Sequence, residues 1–293
     1  GIMVNYGKGI LKMTKSKHEI KQAVKKHYGG AVTHKSGCCC GGNNQADSQL
    51  DNWMAKASGY SPDDLAAMPD NIVSFGCGNP VALMKVKPGD IVLDLGSGAG
   101  LDLILAAKKV GPTGKAIGLD MTPEMIETCR ANLKKAGITN AEVRQGEMEN
   151  MPVDDNEIDW IISNCVINLS PDKEKVFAES FRVLKPGGQM MVSDLVTIGL
   201  PEELRDDMAA WVSCIAGAVE EDEYIALAEK AGFVDVKVLG KQIYTASVLG
   251  GLTDSCGCSN DCSCEDKKHK SNSTDFAKYD GRVASIKLYA RKP

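Results

Sequence analysis

The sequence predicts an α/β fold in which a mostly parallel, twisted β-sheet carries helices on both faces. The first observation is a unit between Asp90 and Asp120 that reads as strand, glycine turn, helix and second strand. The second is that further apolar runs alternate with helical periodicity as far as residue 200. Such alternation is typical of parallel sheets, because parallel neighbours need a helix-length connection.

The turn of this unit predicts a nucleoside crevice. It follows the apolar run Ile91–Leu93 and contains Gly96, Ser97, Gly98 and Gly100. Glycines let the backbone turn sharply and approach a ligand closely. The second strand, 116–119, is followed by Asp120, which stands 20 residues beyond Gly100 (120 − 100). An acid in that position accepts hydrogen bonds from ribose hydroxyls.

An acid directly before the turn indicates which kind of nucleoside binds. Asp94 precedes the G-x-G-x-G pattern, whereas a pyrophosphate would favour bare backbone donors. A negative charge there suits a cationic ligand, such as the amino group and sulfonium of S-adenosylmethionine. A βα turn that binds nothing is the alternative interpretation.

The remaining elements complete a predicted sheet whose strand ends meet at one edge. Asp94, Asp120, Glu147 and Asn164 all fall at strand carboxyl ends, where ligands of such sheets bind. Helices are predicted at 17–28 (ended by Gly29-Gly30), from Ser61 to Pro69, and at 122–136, 172–183, 202–217 and 222–231. Strands are predicted at 141–144, 158–163, 189–192 (after a turn at 185–188), 234–238 and 282–291.

Three regions follow from this pattern. Residues 1–58 form an N-terminal extension with a helix and a cysteine-rich loop, and 59–200 form the nucleoside-binding core. Residues 201–293 form an α+β region that completes the sheet, interrupted by a polar, cysteine-rich insertion at 250–268.

Composition excludes several classes of protein. The 293 residues carry a net charge of −5, which gives no bulk attraction to nucleic acid or anionic membranes. No apolar run is long enough to span a bilayer, and no signal-peptide pattern is present at the start. We therefore expect a cytoplasmic protein with a small-molecule substrate and neither nucleic acid nor membrane as partner.

Eleven cysteines are many for such a protein, and their distribution is uneven. One cluster consists of three consecutive residues, Cys38, Cys39 and Cys40. A second has the spacing C-x-C-x-x-x-C-x-C and consists of Cys256, Cys258, Cys262 and Cys264. Single cysteines occur at four other positions: Cys77, Cys129, Cys165 and Cys214.

Several motifs together resemble the arsenite methyltransferase family of the Rossmann-like methyltransferases. They are FGCGNP at 75–80, VLDLGSGAG at 92–100, GLDMTPEMIE at 118–127, SNCVINLSPDK at 163–173 and FRVLKPGG at 181–188. The resemblance runs from about Gly59 to Val238 and returns in the last strand. General small-molecule methyltransferases share the glycine turn but not these cysteines.

The resemblance implies that Cys77, Cys165 and Cys214 bind trivalent arsenic and are the catalytic residues. Trivalent arsenic is a soft, three-coordinate centre that prefers thiolate sulfur. It keeps one lone pair, which can attack a sulfonium methyl group, so that the thiolates mainly orient the arsenic. Each transfer formally oxidises arsenic, and we expect an external thiol reductant such as thioredoxin or glutathione. The implied function is arsenic detoxification by S-adenosylmethionine-dependent methylation.

The resemblance also implies which part of S-adenosylmethionine each residue contacts. The glycine turn (Gly96, Ser97, Gly98 and Gly100) and Asp94 are expected at the methionine portion, with Asn164 near the same end. Asp120 is expected on the ribose, Met121 on the adenine face, and Glu147 or Met148 at the adenine edge.

Other interpretations stay open at this point. Cys129 is read as a small buried hydrophobe. One of Cys38–Cys40 could take part in a disulfide relay, and the 256–264 cluster could capture arsenic or bind zinc. The rival functions are a C- or O-methyltransferase of a small metabolite on the same fold, and a non-catalytic thiol protein that sequesters arsenic or another metal.

Overall fold

The computed structural model describes residues 2–6, 9–13, 16–33, 59–66, 68–69, 72, 76–200, 217–245 and 276–293. Three predictions concern segments outside these ranges. They are the loop with Cys38–Cys40, the 202–217 helix with Cys214 (its last residue apart), and the cysteine-rich insertion at 250–268.

Nine strands form two sheets within the described residues. Two short strands, β1 (Ile2–Tyr6) and β2 (Gly9–Met13), pair antiparallel and were not predicted. The other seven form one sheet: β3 (Ile91–Leu95), β4 (Lys115–Asp120), β5 (Ala141–Gln145), β6 (Ile158–Asn164), β7 (Leu184–Thr197), β8 (Val234–Tyr244) and β9 (Val283–Arg291).

The seven-stranded sheet has the order β5-β4-β3-β6-β7-β9-β8. Strands β3 to β7 are parallel, whereas β9 runs antiparallel to both β7 and β8. The strand order reverses at β3, which pairs with β4 on one side and with β6 on the other. Ligands of open α/β sheets bind at such a switch point, beyond the carboxyl ends of the strands.

Seven α-helices surround the sheet in the described part of the chain. They are α1 (Lys17–Thr33), α2 (Pro62–Ala66), α3 (Pro80–Leu83), α4 (Leu101–Val110), α5 (Pro123–Lys135), α6 (Lys173–Val183) and α7 (Glu221–Lys230). Two short 3₁₀ turns cover Ile167–Leu169 and Phe276–Tyr279. Within the described ranges, no helix combines the length and apolar character needed to cross a membrane.

The apolar core lies on both faces of the sheet. Leu93 and Leu95 of β3 belong to the cluster under α6 and α7, where Phe177 and Tyr224 meet edge to face at 5.5 Å. Val92 of the same strand belongs to the opposite cluster, under α4. An apolar run buried on both faces is what a central parallel strand requires. The predicted fold class is confirmed.

Predicted elements between residues 91 and 183 are confirmed with ends that differ by at most two residues. The prediction that Gly29-Gly30 ends the first helix is wrong, because α1 continues to Thr33. A Cβ on Gly29 would lie 3.0 Å from Oε2 of Glu124. Gly29 thus permits close approach of α1 to α5, and does not act as a left-handed cap.

The predicted boundaries of the fifth parallel strand are also wrong. The expected turn at 185–188 is an irregularity inside β7, where the pairing with β6 shifts register. The strand then continues five residues beyond the predicted end at Val192. The first two residues beyond that end, Ser193 and Asp194, are polar. Both are fully buried, since β9 pairs with β7 as far as Thr197.

Candidate active site

The turn between β3 and α4 depends on glycine for two physical reasons. Gly96, Gly98 and Gly100 have φ angles of +63°, +50° and +96°, which other residues rarely adopt. In addition, a Cβ on Gly96 would lie 2.3 Å from Cγ2 of Val166, and one on Gly100 would lie 2.7 Å from Sγ of Cys129. The turn therefore presents bare backbone to the space beside it.

Three buried carboxyl groups stand beside this turn. Asp120 accepts hydrogen bonds from the N–H of Gly98 (3.0 Å) and of Thr122 (2.8 Å). Asp94 is 2% exposed, and its Oδ2 has no hydrogen-bond partner in the described part of the chain. Burial raises the pKa of Asp120 and of Asp102, the latter to about 6. Burial and the charges of Asp102 and Asp120 raise the pKa of Asp94 well above its usual value.

The turn and the acids line one crevice at the switch point of the sheet. It encloses about 1030 Å³, counting its open mouth, which is at the upper end of ordinary ligand pockets. All ten residues predicted to bind a cofactor line it: Asp94, Gly96, Ser97, Gly98, Gly100, Asp120, Met121, Glu147, Met148 and Asn164. The structure brings these residues together, and the groups that each would contact stay predictions.

Helix α1 contributes a wall of the crevice that the sequence analysis missed. Lys21 of α1 lies 2.7 Å from Glu147 and 3.2 Å from Glu149, between side-chain nitrogen and oxygen. The hydrogen bond from Lys21 lowers the pKa of Glu147. Val24 and Tyr28 of the same helix also line the crevice. The spacing of Val24 and Tyr28 in the sequence indicates that they share one face of the helix. It does not indicate which part of the protein that face contacts.

Cys77 and Cys165 are joined by a disulfide, although 88 residues separate them in the sequence. Their Cα atoms are 5.8 Å apart, both residues are buried, and Cys165 lines the crevice. Two of the three predicted arsenic ligands are thus adjacent, and reduction would leave two thiols side by side. Cys214 lies outside the described residues. Leu200 and Ala218, on either side of its segment, pack in the same apolar cluster as Cys77 and Cys165.

The loop that carries Cys77 is held from the far end of the chain. The carbonyl oxygen of Cys77 accepts hydrogen bonds from the hydroxyls of Ser285 (3.1 Å) and Tyr244 (3.3 Å). On its other side, Asn79 caps α3, and its side chain accepts an N–H of the first turn at 2.9 Å. Helix α3 was not among the predicted helices. The signal was Asn followed by Pro, a common helix start.

Cys165 has an unusual backbone conformation. Its φ of +58° lies in the left-handed region, which costs a non-glycine residue free energy. Its N–H donates to the carbonyl oxygen of Ser193 at 2.8 Å, which ties the residue to β7. Such outliers persist where the surroundings enforce them, and they concentrate at functional sites.

The side chain of Asn164 is turned toward the Cys77 loop. Its oxygen accepts the N–H groups of Cys77 (3.0 Å) and Gly78 (3.2 Å). Its nitrogen lies 3.0 Å from both Tyr60 Oη and Asp102 Oδ2. Sequence reasoning missed Tyr60 and Asp102, because nothing in the pattern signals contacts between residues so far apart.

Cys129 is buried, as predicted, and it is the free cysteine of the described residues. Burial raises the pKa of its thiol to about 12, so it is not a nucleophile at neutral pH. Among the described residues, no group of three or more His, Cys, Asp or Glu side chains could hold a metal ion. The cysteine cluster at 256–264 lies outside them.

Comparisons with known proteins agree with this geometry. The family model described as a methyltransferase domain matches residues 86–232. The chain is 40% identical over 232 residues to the arsenite methyltransferase of Halobacterium salinarum, covering 76% of this chain and 59% of that protein. It is 33% identical over 233 residues to the arsenite methyltransferase of Aquipseudomonas alcaligenes, with coverages of 75% and 64%. The chain thus spans about three fifths of the length of these curated relatives.

A solved structure extends the comparison. The crystal structure of an arsenic(III) S-adenosylmethionine methyltransferase from Chlamydomonas reinhardtii has 32% sequence identity and a TM-score of 0.58. The match covers 80% of this chain and 72% of that one. The chain therefore belongs to the arsenite methyltransferase family of the Rossmann-like methyltransferases.

Proposed function

We propose that this chain transfers methyl groups from S-adenosylmethionine to trivalent arsenic held by cysteine thiolates, as a step of arsenic detoxification. One observation carries the proposal. Two cysteine sulfurs are adjacent at the wall of a crevice that contains a glycine turn and three buried acids. A small-metabolite methyltransferase would need the crevice but not the cysteine pair. A thiol protein that only sequesters arsenic would need the pair but not the crevice.

The residues of the crevice fit S-adenosylmethionine. Asp94 keeps a buried oxygen without a partner in the described part of the chain, which suits the cationic end of such a ligand. The left-handed turn at Gly96–Gly100 would let the ligand approach the backbone. Asp120 would hold the ribose, because each oxygen that accepts one backbone N–H retains a second lone pair. When bound, the cofactor would supply an electrophilic sulfonium methyl group.

The cysteines would hold the arsenic substrate. Each As–S bond would form as a thiol displaces one hydroxyl of arsenite, which leaves as water with the thiol proton. Cys77, Cys165 and Cys214 would fill the three coordination positions. Thiolate is the appropriate ligand because trivalent arsenic is soft. The lone pair left on arsenic would point toward the crevice, into which Cys165 faces. No general base is needed at arsenic, since it carries no proton. The contribution of the chain is then proximity and orientation.

The product needs two electrons to return to the trivalent state. If two arsenic-bound thiolates left together as a disulfide, two As–S bonds would break, one S–S bond would form and arsenic would gain the two electrons. Cys77 and Cys165 are placed for such closure. An external thiol reductant, such as thioredoxin or glutathione, would then reopen the disulfide by exchange. The reductant is thus a proposed partner, and the arsenical is the proposed small-molecule substrate.

Incubating the purified, reduced chain with arsenite and methyl-labelled S-adenosylmethionine tests the proposal. We expect label in methylated arsenic, separated by chromatography and detected by mass spectrometry. Omission of arsenite is the control. Arsenite binding without label in arsenic would favour sequestration, and label in an added quinone precursor alone would favour the small-metabolite alternative.

Replacing Asp120 with alanine should weaken cofactor binding. A hydrogen bond to a charged group contributes about 1.5–3 kcal/mol, so we expect affinity to fall by roughly 10- to 150-fold in calorimetric titration. Arsenite affinity should change little, because the hydrogen bonds that Asp120 accepts from the described residues come from Gly98 and Thr122, outside the loops of Cys77 and Cys165. Asp120→Asn is the matched control for shape. Unaltered cofactor affinity in a folded Asp120→Ala protein would contradict the assignment.

A further inference from the structure

The side chain of Asn164 clamps the loop that carries Cys77. Its oxygen accepts two consecutive N–H groups, those of Cys77 and Gly78, and its nitrogen donates to the carbonyl oxygen of Gly78 at 2.6 Å. A Cβ on Gly76 would lie 2.2 Å from that nitrogen, so the loop backbone lies directly on the amide. The orientation of this side chain therefore contributes to the position of Cys77, together with the Ser285 and Tyr244 hydroxyls that hold its carbonyl oxygen.

The same amide also contacts a wall of the crevice. Asn164 Nδ2 lies 3.0 Å from Oδ2 of Asp102, which lines the crevice, and 3.0 Å from the hydroxyl of Tyr60. Tyr60 in turn donates to Oδ1 of Asp102 at 2.7 Å. Burial, and next the charge of Asp102, raise the pKa of Tyr60 well above its usual value, so the hydroxyl keeps the proton that it donates.

The amide has fewer donors than acceptors around it. An Asn side chain carries two N–H groups, yet the Gly78 carbonyl, Tyr60 Oη and Asp102 Oδ2 all lie within 3.0 Å of its nitrogen. The three acceptors compete. A cationic ligand beside Asp102 withdraws one acceptor from this competition, and the amide then bonds the Gly78 carbonyl more strongly. The Cys77 loop thereby becomes more firmly held.

We propose that Tyr60 and Asp102 are positioning residues, which act through Asn164 to fix the Cys77 loop when the crevice is filled. This inference rests on the proposed function for the identity of the ligand. It explains why a carboxyl group is buried at this place, where a neutral amide of the same shape would avoid the cost of burying a charge. By linkage, ordering of the loop would tighten cofactor binding by the same factor.

The test uses the full chain with its Cys77–Cys165 disulfide reduced. Brief alkylation with iodoacetamide, followed by mass spectrometry of the Cys77 peptide, is performed with and without saturating S-adenosylhomocysteine. We expect this ligand to slow alkylation of Cys77 by about fivefold or more, within the usual range of coupling between sites. The Cys129 peptide is the internal control, since that thiol is fully buried.

Two variants separate positioning from simple shielding. Tyr60→Phe should bind S-adenosylhomocysteine at most about fivefold more weakly than wild type, because Tyr60 does not line the crevice and only the coupling is lost. It should lose most of the fivefold effect on alkylation of Cys77. Asp102→Asn, which keeps the shape of the side chain, should also lose the effect of the ligand on alkylation of Cys77. Tyr289→Phe is the matched control: it removes a hydroxyl that donates to Gln189 at 2.9 Å on β7, and should keep the full effect.

The outcomes are distinct. If bound ligand leaves Cys77 alkylation unchanged, or if Tyr60→Phe retains the wild-type effect, the positioning role is overturned, because shielding does not need the Tyr60 hydroxyl. If the wild-type chain fails to bind S-adenosylhomocysteine, the proposed function and this inference both fail. If the chain binds it and shows the coupled effect but methylates no arsenic, only the proposed function fails.

Discussion

Replacing Cys165 with serine is expected to lower arsenite methylation by at least about 100-fold, the loss that misplacement of a reacting group typically causes. A serine hydroxyl is a hard ligand with a high pKa, so it cannot replace a thiolate on trivalent arsenic. The backbone should stay in place, because the N–H of residue 165 donates a hydrogen bond to the carbonyl oxygen of Ser193. This backbone hydrogen bond does not depend on the side chain. The measurement is initial rate with labelled S-adenosylmethionine at saturating arsenite.

Cys129→Ser is the matched control for this substitution. Cys129 is equally buried, but its thiol has a pKa near 12 and no assigned role at the site. It should cost modest stability and leave the rate within a few-fold of wild type. Full arsenite turnover by the Cys165→Ser protein would contradict the proposed mechanism.

Cys77→Ser adds a second comparison. Methylarsenite already has one coordination position filled by carbon, so two thiolates suffice to hold it. With an external thiol reductant to supply the electrons that Cys77 would otherwise return, we therefore expect Cys77→Ser to abolish methylation of arsenite while it retains methylation of methylarsenite. Loss of both activities in a folded protein would show that Cys77 is needed beyond binding arsenic.

The crevice was predictable from sequence because its parts obey local rules. Asp94 and Asp120 follow apolar runs, Glu147 follows a predicted strand, and the carboxyl ends of parallel strands meet at one edge of the sheet. The glycines between residues 96 and 100 mark a turn that other residues cannot adopt. Such features need only the order of elements along the chain.

The cysteine loops were not predictable in this way. The pairing of Cys77 with Cys165 joins residues 88 positions apart, and only the family resemblance placed them at one site. The hydroxyl donors on the Cys77 carbonyl come from residues more than 160 positions later, Tyr244 and Ser285. Side-chain contacts at such separations leave no periodic trace in the sequence.

The buried end of β7 shows the same limit. The predicted strand ended at Val192, directly before the polar residues Ser193 and Asp194. In the structure Asp194 accepts hydrogen bonds from Asn168 (2.8 Å) and Tyr224 (3.0 Å), which satisfy it inside the core. Tertiary partners thus decide whether a polar residue continues a strand, and these partners lie on other elements.

Replacing Asp94 with asparagine is expected to change folding stability and cofactor affinity in opposite directions. The ionised Asp94 is buried with an oxygen that has no partner in the described part of the chain, so the apo protein bears an uncompensated charge. An isosteric neutral amide removes it. At a pH where wild-type Asp94 is ionised, we expect the free energy of unfolding of the variant to exceed that of wild type by about 1–3 kcal/mol. This is the usual cost of an unsatisfied buried group.

The stability difference between the Asp94→Asn variant and wild type should depend on pH. Because the folded pKa of Asp94 is raised, its stabilising contribution is complete below the unfolded value of 3.8 and is lost as pH rises through the folded pKa. The stabilising contribution of Asp102 is likewise lost as pH rises from 3.8 to about 6. This loss occurs in both the variant and wild type, so it cancels in the difference between them. The melting temperature of the variant minus that of wild type should therefore increase with pH.

Cofactor binding should follow the opposite course. A cationic ligand favours the ionised form of Asp94, so wild-type affinity should rise as pH rises through the folded pKa. The Asp94→Asn variant lacks that charge. We expect it to bind S-adenosylmethionine roughly 10- to 100-fold more weakly at alkaline pH, or about 1.4–2.8 kcal/mol, and with a flatter pH profile. Calorimetric titration at several pH values measures both effects. A variant that binds like wild type would show that Asp94 balances no charge on the ligand. A variant that is less stable than wild type at every pH would contradict the cost assigned to the buried charge of Asp94.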